Sequence, residues 1–417
     1  MSRLVIGALP FLGAVLAQAS RDTPQRPGHC LADLPGTIQW ATRNATSRLV
    51  DDSSGPDPDS WAPWTQQPAC LQSQHNHKSR FCTFSDAGYG SYGISLITSP
   101  EVAAASADML QDPYMSSIPA HDIDPVLLGG REPSPPYEIV DIPGKGKGVV
   151  ATRPIKRYEV FMGDYAAMVI HASFPGSVQQ IDGYGMLHLA ADQLREPEAL
   201  LGLGRSSPGY KSDIVEDIMR TNSFQMMVAG QPHMAMFPEI SRLNHACNPS
   251  AFMRFSESSS AATVIAFRDI EPGEEITISY ARLGMSHQER QTLLTDWGFK
   301  CTCDMCTAHP SVVAASDNRR AKITQLKTDI LDYLDRGKVH GAVKMIREVI
   351  DVMEKENLRP LMTEQYETLA RIQWALGAKE KGVKYARKSI QLLTDHGFMD
   401  PRDFDENLMG LLYSFEG

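Results

Sequence analysis

Two kinds of hydrophobic pattern divide this chain. From about residue 137 to residue 280, short apolar runs alternate with turns rich in glycine and proline, a pattern typical of β-strands. The predicted strands are Glu138–Ile142, Gly148–Thr152, Val160–Phe161, Ala166–Ile170, Ser223–Val228, Thr263–Phe267 and Ile276–Tyr280. Two predicted helices, Met186–Leu203 and Asp213–Arg220, interrupt these strands. The mix of many short strands and few helices indicates a β-rich α+β fold.

After Pro310 the hydrophobic period changes. One apolar stripe recurs at helical spacing, at Ala342, Met345, Ile346, Val349, Ile350 and Met353. Similar stripes are present in Ile323–Leu334, Leu361–Leu376 and Val383–Leu393, and Gly337, Pro360 and Gly377 separate them. These patterns predict an antiparallel helical array of the tetratricopeptide-like kind over residues 318–417.

The N-terminal part is less regular. Residues 20–112 contain cysteine and many prolines, with one predicted strand at Gly93–Thr98 and one predicted helix at Val102–Met109. Residues 113–136 are proline-rich and are predicted to be a linker. A chain of 417 residues with 42% apolar content is long enough for at least two packed cores.

Charge and the extreme N-terminus restrict the class of protein. A formal net charge of −10 argues against direct nucleic-acid binding, which normally needs a basic face. Residues 1–19 combine a basic residue, a short apolar run and a small-residue cleavage pattern, so they read as a secretory signal; a misassigned start or an uncleaved anchor is the alternative. Asn44 begins a glycosylation acceptor pattern. No second long apolar run follows, so no membrane span is expected after signal removal.

The cysteines form an early and a late group. Cys301, Cys303 and Cys306 are clustered, and three thiols do not complete a tetrahedral zinc site. Cys247 is the natural fourth ligand, and a structural Zn²⁺ would then join two distant segments.

Cys30, Cys70 and Cys82 make up the early group. In an oxidising compartment two of these three could form a disulfide, which leaves the pairing open.

Three further features are ordinary when taken singly. The glycine-rich loop Gly144–Gly148 precedes a strand, whereas a dinucleotide-binding loop would open a helix. Tyr280 ends a predicted buried strand, where a core tyrosine is common. Asn244 and His245 lie in a turn before Pro249, where both side chains could serve as structural hydrogen-bonding groups.

Their order along the chain is more informative. Together the motifs resemble those of SET-domain protein lysine methyltransferases, most closely the SMYD-like branch. The matching segments are Gly144–Val149, Thr221–Phe224, Ser241–Pro249, Gly273–Tyr280 and Phe299–Cys306. The segment between Ile170 and Thr221 has no cysteine, so the MYND finger of that branch is absent. Arg157-Tyr158 stands where the family has a turn with a small residue and glycine.

The resemblance implies a knotted SET domain over 137–282, a post-SET zinc region over 283–310 and the helical domain that follows. It also implies S-adenosyl-L-methionine (AdoMet) as methyl donor, a structural Zn²⁺ and a protein substrate with an accessible lysine, histone or other. The C-terminal helices would be available for partner binding.

Residue roles carry over by position. The implied catalytic residues are Tyr280, Asn244 and His245. The implied AdoMet-binding residues are Lys145, Gly146, Lys147, Asn222, Ser241, Leu243, Asn244, His245 and Phe299. Phe224, Trp297 and Tyr280 would line the lysine channel, and Cys247, Cys301, Cys303 and Cys306 would bind the zinc.

Two alternatives stay open at this point. A SET scaffold without activity could bind partners through its C-terminal helices, and a small amine could replace the protein lysine as substrate. The N-terminus indicates secretion whereas SET chemistry indicates nucleus or cytoplasm, so localisation also stays open.

Overall fold

The computed structural model describes residues 49–50, 62–76, 78–107, 135–206, 213–256 and 259–397. The predicted signal segment, Cys30, Asn44 and most of the predicted linker lie outside these ranges. Within them, no helix is both long enough and apolar enough to cross a membrane. The chain divides into two compact units. Of the described residues, one unit contains those from Leu49 to Ala281 together with Gln291–Cys301, and the other contains Arg282–Arg290 together with those from Thr302 to Gly397.

The described part of the first unit is built on three β-sheets. Its strands are β1 (Leu49–Val50), β2 (Ala69–Gln72), β3 (Arg80–Asp86), β4 (Ile94–Thr98), β5 (Tyr137–Ile142), β6 (Gly146–Ala151), β7 (Val160–Tyr165), β8 (Met168–His171), β9 (Phe224–Val228), β10 (Gln231–Met236), β11 (Asn244–His245), β12 (Ala251–Phe255), β13 (Ala261–Ala266) and β14 (Glu275–Ile278). The sheet orders are β1-β2-β3-β4-β8-β10-β9, β11-β14-β6-β5 and β12-β13-β7. Of the named pairings, β4 with β8 and β11 with β14 are parallel, and the others are antiparallel.

The parallel pair of β4 and β8 joins the N-terminal strands to the rest of the unit. Ser95, Leu96 and Ile97 lie opposite Met168, Val169 and Ile170. Sequence patterns placed the start of the compact domain near residue 137, but strands β2–β4 share a sheet with β8–β10. A parallel pairing across some seventy residues leaves no local signal in the sequence, which explains the difference.

Helices of the first unit cover its sheets. They are α1 (Pro100–Ala105), α2 (Phe174–Ser177), α3 (Gln180–Asp192), α4 (Pro197–Leu201) and α5 (Ile214–Asn222). Asp213 caps α5 by accepting the backbone N–H groups of Val215 and Glu216. The predicted helix Met186–Leu203 is in fact two helices, α3 and α4. The first of them begins six residues earlier than the sequence pattern predicted.

The second unit contains the predicted helical array. Its long helices are α8 (Pro310–Asp335), α9 (Val339–Lys355), α10 (Met362–Ala375) and α11 (Lys379–His396). The short helix α7 (Asp304–Thr307) precedes them, and only the first turn of the short helix α6 (His287–Leu294) belongs to this unit. Ala342, Ile346, Val349 and Met353 of the α9 stripe are fully buried in one core. The prediction of a β-rich α+β region followed by an all-α region is confirmed.

Glycines end two of these helices at the predicted breaks. Gly337 and Gly377 have φ of 68° and 77°, in the left-handed region that L-residues with a side chain rarely adopt. Their N–H groups donate to Leu334 and Trp374 carbonyls near the preceding helix ends.

Tyr158 occupies a left-handed position where the family has glycine. Its φ is 69°. Its N–H donates to the Ala266 carbonyl at 2.9 Å, and the Arg157 guanidinium lies 4.7 Å from its ring centroid. These contacts hold a conformation that glycine would adopt without steric cost.

A buried ion pair ties the start of α8 to the end of α9. The Glu356 carboxylate accepts from Ser316, Arg319 and Arg320 at 2.5, 2.5 and 2.9 Å. Arg320 also donates to the Met285 carbonyl at 2.7 Å. The side chains of Arg320 and Glu356 are only 4% and 2% exposed, so each charge relies on the other for solvation.

We expect Glu356→Ala to lower the free energy of unfolding of the second unit by about 3–5 kcal/mol, because it leaves Arg320 buried and uncompensated. Glu364→Ala is the matched control, since Glu364 pairs with Lys327 at an exposed position. The control should cost at most about 1 kcal/mol. Urea denaturation of both variants measures the difference, and equal losses would contradict this account.

Candidate active site

A two-residue parallel pairing places the Asn244–His245 turn. Asn244 lies opposite Thr277, and His245 lies opposite Ile278. The Ala246 N–H continues the pairing by donating to the Ile278 carbonyl at 3.0 Å. The turn is therefore held beside the end of β14, where Tyr280 follows.

Tyr280 is fixed by two hydrogen bonds from this turn. Its hydroxyl donates to the Leu243 carbonyl at 2.8 Å, and its backbone N–H donates to His245 Nδ1 at 2.9 Å. Nδ1 is therefore an acceptor, and in the neutral ring the proton lies on Nε2. Nε2 is 3.3 Å from Cys247 Sγ, so one imidazole connects the tyrosine to the cysteine cluster.

Aromatic rings surround the Tyr280 phenol. The ring centroids of Trp297 and Phe299 lie 5.7 and 6.3 Å from that of Tyr280, and the His245 ring lies 5.3 Å away. Phe299 also lies 6.2 Å from His245. Phe299 is 37% exposed, so this cluster of aromatic rings has an exposed side against which a ligand can pack.

The glycine-rich strand β6 approaches the same turn. A Cβ built on Gly148 would lie 2.7 Å from Asn244 Nδ2, so only glycine allows this approach. Asn244 Nδ2 donates to the Lys147 carbonyl at 3.2 Å and to Glu275 Oε1 at 2.9 Å. Lys145 Nζ reaches the other Glu275 oxygen at 2.5 Å. Gly146, between the two lysines, has φ of 76°.

Glu275 was not singled out in the sequence, although it lies within one of the matching motifs. Its carboxylate bridges the Asn244 amide and the Lys145 ammonium. Its position beside the inward-facing Ile276 was the only sequence feature that could have pointed to it. The partners of its carboxylate lie far away in the sequence.

Asn222 and Ser241 lie on a second edge of the turn. Asn222 Nδ2 donates to the Gly204 and Ile218 carbonyls at 2.7 and 2.8 Å. Ser241 Oγ donates to the Asn222 carbonyl at 3.2 Å. The amide nitrogen of Asn222 is thus engaged by the protein, and its amide oxygen is the atom on that side chain suited to a donor on a ligand.

Phe224 lies deeper than the other predicted channel residues. It is 5% exposed and packs against Phe237 and Phe255, with ring centroids 6.1 and 6.3 Å away. Trp297, in contrast, packs directly against Tyr280. The role of Phe224 in a lysine channel stays a prediction.

The four late cysteines come together. Their sulfur atoms all lie within 4.8 Å of one another, and the Cys247 and Cys301 sulfurs are 3.8 Å apart. Four thiolates around a tetrahedral Zn²⁺, each with a Zn–S distance of about 2.3 Å, have sulfurs about 3.8 Å apart. The donor set and its spacing therefore fit a closed structural zinc site. Gln291 braces it by bonding both the N–H and the carbonyl of Cys301.

Cys70 and Cys82 form a disulfide between the directly opposed positions of β2 and β3. The open question of pairing within the early group is answered for these two residues. Cys30 lies outside the described residues.

Comparison with known proteins identifies one domain of the chain. The family model for the SET domain matches residues 146–281, which contain β6, the turn and Tyr280. The chain therefore contains a SET domain, and it is similar over part of its length to lysine methyltransferases of the SMYD and SET5 types. It is 29% identical over 231 residues to histone-lysine N-methyltransferase set5 of Schizosaccharomyces pombe, which covers 53% of this chain and 66% of that protein.

Two further SET-domain relatives match shorter stretches. Histone-lysine N-methyltransferase ATXR2 of Arabidopsis thaliana is 42% identical over 81 residues, 19% of this chain and 17% of that protein. N-lysine methyltransferase SMYD2 of Homo sapiens is 30% identical over 122 residues, 29% of this chain and 25% of that protein. The chain thus spans less than two thirds of the length of each of these relatives.

We expect purified protein to carry about one zinc ion per chain. Cys303→Ser should lower that content sharply and lower the melting temperature, since zinc binding to such a site is coupled to folding. Thr302→Ser, between two ligands, is the control and should keep the metal. Elemental analysis with thermal unfolding measures both, and unchanged zinc content in Cys303→Ser would contradict the site.

Proposed function

We propose that the SET-domain protein transfers a methyl group from AdoMet to the side-chain amine of a protein lysine. The observation that carries this proposal is the Tyr280 phenol, held by the Leu243 carbonyl and by His245 inside an aromatic group. The relatives are named as histone-lysine and N-lysine methyltransferases, which supports lysine methylation as the reaction class.

The residues around the turn suit AdoMet binding. When bound, AdoMet supplies an activated methyl group on its sulfonium. We assign its binding to Lys145, Gly146 and Lys147 on one side and to Asn244, His245 and Phe299 on the other. Asn222, Ser241 and Leu243 complete the set. The backbone at Gly146 can approach a ligand closely because no side chain intervenes.

The aromatic rings would prepare the lysine. Trp297 and Tyr280 would pack along its aliphatic stem and exclude water. Desolvation disfavours the charged ammonium and lowers the pKa of the amine, so that it reacts as the neutral nucleophile. Alignment of that amine with the methyl group supplies much of the rate.

Tyr280 has an orienting role in this scheme. Because its proton is donated to the Leu243 carbonyl, the phenol oxygen would act toward the reactants as an acceptor of polarised C–H or N–H groups. The tyrosine does not need to give up its proton in this scheme. The zinc, with four thiolate ligands and no open position, would be structural.

Tyr280→Phe tests this assignment. We expect the methyl-transfer rate to fall by about 10²–10³-fold, as for loss of one preorganised polar group, while AdoMet affinity changes little. Tyr385→Phe in α11 is the matched control and should keep full activity. The assay uses radiolabelled AdoMet with histones and a panel of other basic proteins. If folded, zinc-loaded wild type neither binds AdoMet nor transfers methyl groups, the proposal is overturned.

Cys303→Ser should also weaken AdoMet binding. Phe299 lies two residues before the first clustered cysteine and packs on His245, so loss of the metal should loosen this aromatic wall. We expect at least a several-fold rise in Kd by calorimetry. Unchanged affinity would mean that Phe299 is held independently of the metal.

A further inference from the structure

A buried carboxylate holds the backbone that leads into the candidate site. Asp164, on β7, is 6% exposed. Its Oδ2 accepts the N–H groups of Glu239 and Ile240 at 2.7 and 3.3 Å. These two groups begin the 3₁₀ turn Ile240–Arg242, whose first N–H groups have no partner within the turn itself.

A second carboxylate fixes the same point from the other sheets. Glu239 accepts the hydroxyl of Tyr137 at 2.7 Å and that of Tyr92 at 3.3 Å. Tyr137 begins β5, and Tyr92 lies between β3 and β4. Side chains from two sheets and from the loop between β3 and β4 therefore converge on the residue that starts the turn.

The turn leads directly to the group that holds Tyr280. Leu243 follows the 3₁₀ turn, and its carbonyl accepts the Tyr280 hydroxyl. His245, two residues later, accepts the Tyr280 N–H. Asp164 does not touch Tyr280. It anchors the backbone at Ile240, three residues before Leu243, whose carbonyl accepts the Tyr280 hydroxyl.

The surroundings of Asp164 make it sensitive to pH. Burial raises the pKa of Asp164 to about 8, and the neighbouring Glu239 carboxylate adds to the rise although backbone N–H groups oppose it. The ionisable side chains of Tyr92 and Tyr137 also lie close to it, and both have pKa values raised by burial. Arg242, at the end of the turn, donates to the Gly202 carbonyl.

We propose that Asp164 is a positioning residue for the Leu243–His245 segment, and that its ionised form holds this segment in the geometry that binds AdoMet. The ligand in this inference rests on the proposed function. The anchoring itself rests on the hydrogen bonds of Asp164. A charged acceptor forms bonds roughly twice as strong as a neutral one, so the anchor is firmer when Asp164 is ionised.

Ligand affinity measured against pH tests the proposal. S-adenosylhomocysteine is the probe, titrated by calorimetry between pH 6.5 and 9 into wild type and Asp164→Asn. The ratio of the two affinities cancels the titration of the probe's own amino group. We expect wild type to gain on Asp164→Asn by about 5-fold as pH rises across this range. A constant ratio would overturn the inference.

Asp269→Asn is the matched control. Asp269 also accepts a backbone N–H, from Arg157 at 2.9 Å, but it is exposed and lies outside the turn. This variant should follow the wild-type affinity at every pH. A similar loss of pH dependence in Asp269→Asn would mean that the effect is not specific to Asp164.

Stability provides a second measurement. A carboxyl with a higher pKa in the folded state makes the folded protein bind an extra proton between the two pKa values, so stability is lost as pH rises. For Asp164 this window runs from about 4 to about 8. Wild type should therefore lose stability relative to Asp164→Asn across that window, and parallel curves would contradict a buried, titrating Asp164.

Hydrogen exchange separates this inference from the proposed function. If no variant binds S-adenosylhomocysteine, the proposed function fails. Amide exchange in residues 239–246 then decides the anchoring. Faster exchange in Asp164→Asn than in Asp269→Asn supports it, and equal exchange overturns it.

Discussion

The parallel pairing of Asn244 and His245 with Thr277 and Ile278 is the constraint on which the candidate site depends. Only two residues pair, so this contact needs other hydrogen bonds to hold it. The bonds that Leu243 and His245 make with Tyr280 hold the turn beside the end of β14. The other residues of the site take their positions from this contact: β6 lies against Asn244, and the aromatic rings pack around the phenol.

The imidazole of His245 contacts two parts of the site at once. One nitrogen accepts from the backbone of Tyr280, and the other lies against the Cys247 sulfur. A hydrogen bond from a ring N–H stabilises a thiolate and also orients the ring. The same side chain therefore contacts a cysteine of the candidate zinc site and also the tyrosine, so a displacement of either one would shift the other through this ring.

Much of this architecture was readable from local patterns. The helical stripes predicted α10 to within a residue at each end, because a period of 3.6 is a local property. The grouping of the four late cysteines followed from the number of thiols that a zinc ion would need. The parallel pairing of β4 with β8, the bridge made by Glu275 and the anchoring by Asp164 could not be read, since each joins positions far apart in the chain. Phe224 shows the same limit, because burial in the core and a place in a channel require the same kind of residue.

The described cysteines are of two kinds, a disulfide-bonded pair and a group of four thiols. Cys70 and Cys82 are joined, while Cys247 and its three neighbours have the spacing of thiolate ligands. A strong thiol reductant added during purification would protect the second group and open the first, and a chelator would remove any zinc ion bound by the second group and expose its thiols to oxidation. Isolation in zinc-containing, reductant-free buffer is the condition that preserves both.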